Sequence, residues 1–400
     1  MASISTVPGR PATLAQTPST VLARATSRVT SIDALRGFVM LLMLLDHVRE
    51  TFLLWVPVGD PVDALTTGPV YFFTRLTSTV CAPVFVALTG LSAYLYAQKH
   101  SRAETSAFLL KRGAFLVLLE LTLVNFVWRA QFPPTILYLQ VIWAIGLSMI
   151  VLAALIRLPH AMVAAIGLIV VAGHNLLDPI AVSAGHPLHL PWALLHDRDI
   201  VHFGGFPVRF SYPVLPWFGV ICLGWAAGPW FVSGDAAMRR RRLVRAGSAM
   251  LIAFVMLRVL NIYGDAPWFV VPGSPLRSAM SFLALTKYPP SLLFLLSTLG
   301  VGLLLLAWFE GIAGARPVGW LAVLGGAPMF FYLFHLYVLR GFYLLCLGLW
   351  GANHGSVFGL PSIPAVWLLW IALIVPLYLP TRWFAELKAR RRDIGWLKYF

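Results

Sequence analysis

The sequence predicts an all-α, polytopic membrane protein with about ten transmembrane helices. Hydrophobic residues make up 59% of the 400 residues, charged residues make up 11%, and the mean hydropathy is +0.82. A soluble domain is about half apolar and about a quarter charged, so this composition excludes an ordinary soluble protein. The apolar runs do not alternate with a period of two residues, which argues against membrane-spanning strands.

The predicted spans follow from length, because a helix needs about 20 mostly apolar residues to cross a bilayer. They lie near residues 34–56, 78–98, 108–128, 135–156, 160–178, 212–232, 246–264, 289–309, 327–349 and 363–382. Because the connections are short, residues 29–382 are predicted to form one membrane domain. Residues 1–28 are rich in Ser, Thr, Pro and Ala and are predicted to be a disordered cytoplasmic tail. Residues 383–400 are predicted to be a basic cytoplasmic tail on the membrane interface.

The distribution of basic residues predicts the orientation of the chain. If the N-terminus lies inside, the large majority of the 30 Lys and Arg residues fall on the inner side, including the runs at 239–242 and 390–392. Lys and Arg accumulate on the cytoplasmic side of membrane proteins, so both termini are predicted to be cytoplasmic, in the inner (cell) membrane. The net charge of +15 is attributed to attraction by anionic lipid, and no nucleic-acid motif accompanies it.

The inner end of the first span contains the first candidate site residues. Asp33 and Arg36 lie three residues apart, on one face of the predicted helix. One interpretation is an ion pair that anchors the helix end, since such pairs are common structural devices. The other is that Arg36, with Asp33 beside it, binds an anionic cofactor group such as a phosphate from the cytoplasm.

The outer end of the same span contains the candidate catalytic residues, Asp46 and His47. They lie about 20 Å from Asp33, at 1.5 Å per helical residue. Imidazole is the commonest general base because its ordinary pKa lies near neutrality. Adjacent helical residues point about 100° apart. We therefore expect His47 to face the bundle, while Asp46 or Glu50 pairs with Arg49 or with another span.

Other spans also contain polar groups that lipid would not tolerate unpaired. Glu120 and Arg258 are predicted to form a mutual or nearby ion pair with a structural role. His335 follows Tyr332 by three residues in the ninth span, after a Gly-Gly-Ala-Pro sequence that permits close backbone approach. It is therefore a further candidate for packing or for contact with a donor substrate.

No metal site is predicted from the sequence. The segment 179–211 contains His186 and His189 in a His-x-x-His spacing, but Pro187 interrupts it and the helix-borne zinc pattern is absent. The three cysteines each lie in an apolar span without CxxC spacing. The segment 179–211 is interpreted as a solvated outer loop that covers the bundle.

Several strings in the chain resemble those of a known family. They include SIDALRGFVMLLMLLDHVRE in the first span, CAPVFVALTGLSAYL at 81–95, AGHNLLD at 172–178 and APMFFYLFHLYVLR at 327–340. In this order they resemble the bacterial branch of the heparan-alpha-glucosaminide N-acetyltransferase catalytic-domain family, which is related to integral membrane acyltransferases. The resemblance runs from about residue 28 to the C-terminus.

The resemblance implies a membrane-bound acyltransferase that uses acetyl-CoA or another acyl-CoA as donor. The acyl group would pass from the cytoplasm to an extracytoplasmic sugar amine or hydroxyl of a small molecule or glycan. On this reading His47 and Asp46 are the catalytic candidates, and Arg36, Asp33 and His335 are the donor-binding candidates. The lysosomal member is thought to use a histidine in the loop after its first span. Residues 51–77 contain none, so His47 is chosen on chemical grounds.

Two other functions remain as alternatives at the level of the sequence. A multi-pass transporter of a small polar or anionic solute would line its path with the same buried charges. No convincing internal repeat relates residues 30–200 to 210–390, which weighs against that interpretation. A scaffold whose charges only hold spans together is the third reading. The expected partners are the bilayer and the acceptor, and a homodimer is left open.

Overall fold

A computed structural model describes residues 29–56, 58–233, 235–391 and 393–400. It confirms the all-α, polytopic class. The predicted tail at 1–28 lies outside the described residues. In the first half of the chain the helices are α1 (Thr30–Phe52), α2 (Pro69–Thr77), α3 (Cys81–Ala97), α4 (Arg102–Leu119), α5 (Asn125–Arg129), α6 (Val141–Leu155), α7 (His160–Gly173) and α8 (His189–Leu195). A π-helical turn, Glu120–Val124, joins α4 to α5, and a 3₁₀ turn, His174–Leu177, follows α7.

The second half of the chain is also helical. Its helices are α9 (Val214–Ala226), α10 (Pro229–Val232), α11 (Ala236–Leu260), α12 (Pro275–Leu283), α13 (Leu292–Gly311), α14 (Arg316–Leu324), α15 (Pro328–Trp350) and α16 (Ile363–Arg390), and a 3₁₀ turn, Gly395–Tyr399, ends the chain. Helix α16 continues past the predicted boundary at residue 382. Ion pairs from Glu386 to Arg382 and to Arg390 support this extension at helical spacing.

Within the described residues, seven helical segments are long and apolar enough to cross a membrane. They are Pro69–Ala97, His160–Leu177, Val214–Val232, Ala236–Leu260, Leu292–Gly311, Pro328–Trp350 and Ile363–Arg390. The remaining three predicted spans overlap α1, the α4–α5 segment and α6. Helices α1 and α4 contain several charged residues, and α6 has only 15 residues. The number of ten crossings therefore stays a prediction.

The segment 179–211 is more ordered than the predicted loop. Besides α8 it contains the strands β2 (Ile200–Phe203) and β3 (Phe206–Phe210), which join β1 (Leu137–Leu139) in a three-stranded sheet. Strand β3 lies in the middle, parallel to β1 and antiparallel to β2. Gly204 and Gly205 both have positive φ, which the tight turn between β2 and β3 requires. These strands of three to five residues are too short for an alternating pattern to predict them.

Two pairs of helices approach to backbone contact at glycines. A Cβ on Gly37 of α1 would lie 2.0 Å from the carbonyl oxygen of Leu321, and one on Gly325 would lie 1.9 Å from that of Asp33. A Cβ on Gly90 of α3, or on Gly224 of α9, would likewise lie against a backbone carbonyl oxygen of the other helix. Small residues permit this approach in membrane proteins, where packing rather than the hydrophobic effect drives helix association.

We expect the Gly37→Val variant to lose most of its folded, detergent-stable protein. The added atoms would meet backbone rather than a flexible side chain, and overpacking usually costs about 1–3 kcal/mol or more. Gly341→Val in α15 is the matched control, because a Cβ there meets nothing within 4 Å. Size-exclusion profiles and thermal unfolding in detergent measure the difference. Equal stability of the two variants would contradict the close approach of α1 and α14.

Candidate functional site

The structure brings together two histidines that are 288 residues apart in the chain. Nδ1 of His47 lies 2.7 Å from Nε2 of His335. The planes of the two rings are nearly parallel, with an angle of 2° between them and 5.0 Å between the ring centroids. The ring of Tyr332 contacts both rings, with its centroid 6.1 Å from that of His47 and 5.9 Å from that of His335. We refer to His47 and His335 as the histidine pair.

The hydrogen bonds of the pair determine which nitrogens carry protons. Nδ1 of His335 lies 2.6 Å from the carbonyl oxygen of Phe331 and must donate, because a carbonyl can only accept. In the neutral ring, Nε2 of His335 is then an acceptor, so Nδ1 of His47 donates to it. Nε2 of His47 consequently keeps its lone pair. Among the described residues none hydrogen-bonds to that nitrogen, which leaves it available to a substrate.

Asp46 does not orient His47. Its Oδ1 accepts from Arg49 at 2.6 and 3.1 Å, so the pairing with Arg49 that was expected for Asp46 or Glu50 is present. Arg49 also donates to Glu50 and to the hydroxyl of Tyr71. An orienting carboxylate would accept a hydrogen bond from Nδ1 of His47. His335 is the partner of that nitrogen instead.

Charged groups from a later connection approach the same region. Lys287 lies between α12 and α13, close enough to Asp46 and Glu50 to interact electrostatically with both. Burial alone would lower the pKa of Lys287, but Tyr288 and the two carboxylates outweigh it and raise that pKa. Asp60 accepts hydrogen bonds from the backbone N–H groups of Lys287 and Tyr288. Burial raises the pKa of Asp60. The connection is thus held by hydrogen bonds beside α1.

A cavity of about 330 Å³ extends along α1. Three of its lining residues are basic: Arg36, Arg112 and Lys388. The rest is largely apolar and includes Met43 and Tyr332. Tyr332 also contacts both rings of the histidine pair, so this one side chain lies between the cavity and the pair.

Arg36 is fixed in the wall of this cavity. It donates to Asp33 at 2.7 Å, to the Gly325 carbonyl at 3.1 Å and to the Ser92 hydroxyl at 3.0 Å. The expected ion pair with Asp33 is therefore present. Of the three donor-binding candidates, only Arg36 lines the cavity directly, whereas Asp33 holds Arg36 and His335 contacts His47.

Arg112 is a cavity residue that the sequence did not single out. Its Nε is enclosed and has no hydrogen-bond partner among the residues that the structure describes. In the sequence it follows Lys111 and looks like an ordinary basic flank of the third span. The adjacency of two basic residues was the only available signal, and it does not distinguish a lipid-facing side chain from one that faces a cavity.

The predicted ion pair between Glu120 and Arg258 is wrong. Glu120 accepts a hydrogen bond from the backbone N–H of Trp143, in the first turn of α6. The dipole of a helix favours a carboxylate at this end. Arg258 donates to the carbonyls of four residues, Ala266, Ser281, Phe282 and Ala284. Three of these belong to the end of α12, whose last carbonyls lack helical partners. Each of the two side chains thus forms hydrogen bonds with a helix terminus.

Residues 28–264 match the family model described as heparan-alpha-glucosaminide N-acetyltransferase, catalytic. The chain belongs to this family. No curated protein matches the chain. Family membership implies an acetyltransferase-type enzyme, and the apolar helices agree with a membrane acetyltransferase. The matched range includes His47, Arg36 and Arg112, whereas His335 and Lys388 lie beyond it.

Proposed function

We propose that the protein transfers an acyl group from a cytoplasmic acyl-CoA, acetyl-CoA in the first instance, to an amine or hydroxyl on the other side of the membrane. The observation that carries this proposal is a cavity whose lining includes the basic residues Arg36, Arg112 and Lys388 and also Tyr332, the side chain that contacts both members of the histidine pair. A phosphate-rich carrier fits guanidinium and ammonium groups. The narrow, largely apolar arm of the acyl-CoA fits the rest of the cavity, whose lining is largely apolar.

In the proposed reaction Nε2 of His47 accepts the proton of the acceptor amine or hydroxyl. The acceptor atom bonds to the thioester carbonyl carbon, the carbon–sulfur bond breaks, and CoA leaves as a thiolate that takes up the proton from His47, which returns to its neutral form. Nδ1–H of His47 donates to His335 throughout, so His335 stabilises the positive charge that His47 acquires. His335 is thus proposed as a positioning residue. Asp46 is proposed to contribute to the electrostatic environment of the pair through its ion pair with Arg49.

The direct test is to incubate the purified protein with isotopically labelled acetyl-CoA and a panel of amino sugars. Mass spectrometry should detect a labelled acceptor and free CoA in equal amounts. A chain that consumes no acetyl-CoA with any acceptor, while transporting a small solute in vesicles, would favour the transporter alternative.

The proposal requires the basic residues of the cavity to face the cytoplasm. With both termini inside, Ala236 at the start of α11 should be labelled from the inside and Ser356, between α15 and α16, from the outside. Both positions are exposed, so single cysteines there can be labelled in intact cells and in inverted vesicles. Labelling of both positions from the same side would contradict this topology.

A further inference from the structure

Three side chains from two segments converge beyond the end of α7. His174 is the first residue of the 3₁₀ turn after α7, and Asp178 caps the end of that turn. His196 caps the end of α8. A nitrogen or carboxylate oxygen from each lies within 4.8 Å of those of the other two. Nε2 of His196 is 3.0 Å from Oδ1 of Asp178. None of the three belongs to the histidine pair or lines the cavity described above.

The ring of His174 indicates that this cluster is incomplete as it stands. His174 is 2% exposed, and no described residue hydrogen-bonds to either of its ring nitrogens. The carbonyl of Pro290 lies near the ring without completing a hydrogen bond. Nδ1 of His196 is enclosed and unpartnered as well. Buried polar atoms are almost always paired, so the lone pairs gathered here call for a ligand.

We propose that His174, Asp178 and His196 bind one divalent transition-metal ion, for which zinc has the best-matched chemistry. Two imidazoles and one carboxylate form a recurrent three-ligand zinc set, with bonds of about 2.0–2.2 Å and a fourth position for water. Ligand atoms around such an ion stand roughly 3.3 Å apart, so the present spacing needs only small side-chain rotations. The exposed side chain of Asp178 leaves the fourth position open to solvent.

The surroundings of the cluster support the same assignment. Asn175 donates from Nδ2 to the second carboxylate oxygen of Asp178 at 2.8 Å, as residues that orient metal ligands do. Oδ1 of Asn175 accepts from the backbone N–H of Leu292, at the start of α13. An ion at this point would tie α8 to the ends of two membrane helices. Its role would be to hold the segment 179–211 in place over the bundle.

No sequence pattern predicts this set of ligands. The His-x-x-His spacing drew attention to His186 and His189, and His189 is instead 2.7 Å from Asp199. The ligand spacing proposed here is His-x-x-x-Asp plus one histidine from the next helix end. Only the fold brings these parts together.

The test uses the full-length protein, purified with a tag that contains no histidine and stripped with a chelator. Zinc titration against a chromophoric chelator should give one ion per chain. Asp178→Asn should weaken zinc binding at least about tenfold, because it removes a charged ligand. The matched control is Asp197→Asn, an exposed carboxylate adjacent to His196, which should bind zinc like the unmodified protein.

Cobalt(II) provides a second measurement that a folding defect cannot imitate. The unmodified protein should show visible absorption of a four-coordinate cobalt site, and His196→Gln should lose it while eluting as the same monodisperse species. Asp178 is exposed, so Asp178→Asn remains a valid test even if replacement of a buried histidine prevents folding. Absence of stoichiometric zinc from the unmodified protein, or equal binding by Asp178→Asn and Asp197→Asn, would overturn the proposal.

Discussion

Replacing His47 by alanine should lower acyl transfer by about 10²–10⁴-fold, the usual contribution of a general base. The substitution removes Nε2, the nitrogen that the hydrogen bonds of the pair leave with a lone pair. Binding of acyl-CoA should change little, because His47 does not line the cavity. Turnover is measured with labelled acetyl-CoA, and donor binding is measured separately by calorimetry or by thermal stabilisation.

His202→Ala is a suitable control for His47→Ala, since His202 is an exposed histidine of β2. It should retain full activity. His335→Asn should lower kcat less than His47→Ala does and leave KM for acyl-CoA unchanged, since it weakens the hydrogen bond to His47 but keeps Nε2 of His47, and His335 does not line the cavity. Full activity of His47→Ala, combined with loss of activity in His335→Asn, would mean that the base is the other member of the pair.

Removal of the basic lining of the cavity should produce the second-largest effect, on donor affinity. Arg36→Ala and Arg112→Ala should each weaken acyl-CoA binding by about ten- to hundredfold, which corresponds to the roughly 1.5–3 kcal/mol of a charge-assisted hydrogen bond. Insertion into the membrane should be unaffected. Arg112→Ala is the cleaner variant, because Arg36→Ala also removes the partner of Asp33.

The matched control for these arginines is Arg157→Ala, an exposed arginine between α6 and α7 that does not line the cavity. It should bind acyl-CoA like the unmodified protein. Higher salt should weaken binding by the unmodified protein and have less effect on Arg112→Ala, because one screened charge has been removed. Unchanged affinity in both cavity variants would return Arg36 to the structural role of a helix-end ion pair.

The helices could be predicted from the sequence because length and apolarity are local properties. Each predicted span overlaps a helix, and the Asp33–Arg36 ion pair follows from a spacing of three. The outer sheet could not be predicted, because its pairing joins β1 to strands more than 60 residues later. The ion pair assigned to Glu120 and Arg258 failed for a related reason. Carbonyl groups at a helix end are invisible in a list of side chains, although they bind Arg258 well.

The candidate site was predictable only in part. The first span identified His47, but nothing in one sequence indicates that His335 reaches it across 288 residues. His335 was interpreted through its immediate neighbours, which suggested packing or donor contact. Arg112 was overlooked because a basic pair at a helix end is common. Its orientation toward the cavity depends on how α4 packs against the other helices, which is a property of the tertiary structure.

The backbone contacts at Gly37 and Gly325 bear on how the protein can work. Helix α1 carries both Arg36 and His47, and these glycines join it to the α14–α15 segment, which carries His335. The two ends of the proposed transfer path therefore belong to one preorganised unit. A transporter that rocks one bundle against the other needs such contacts to slide. A covalent cross-link between α1 and α14 should leave acyl transfer intact, whereas it would abolish transport by a protein that must rock one bundle against the other.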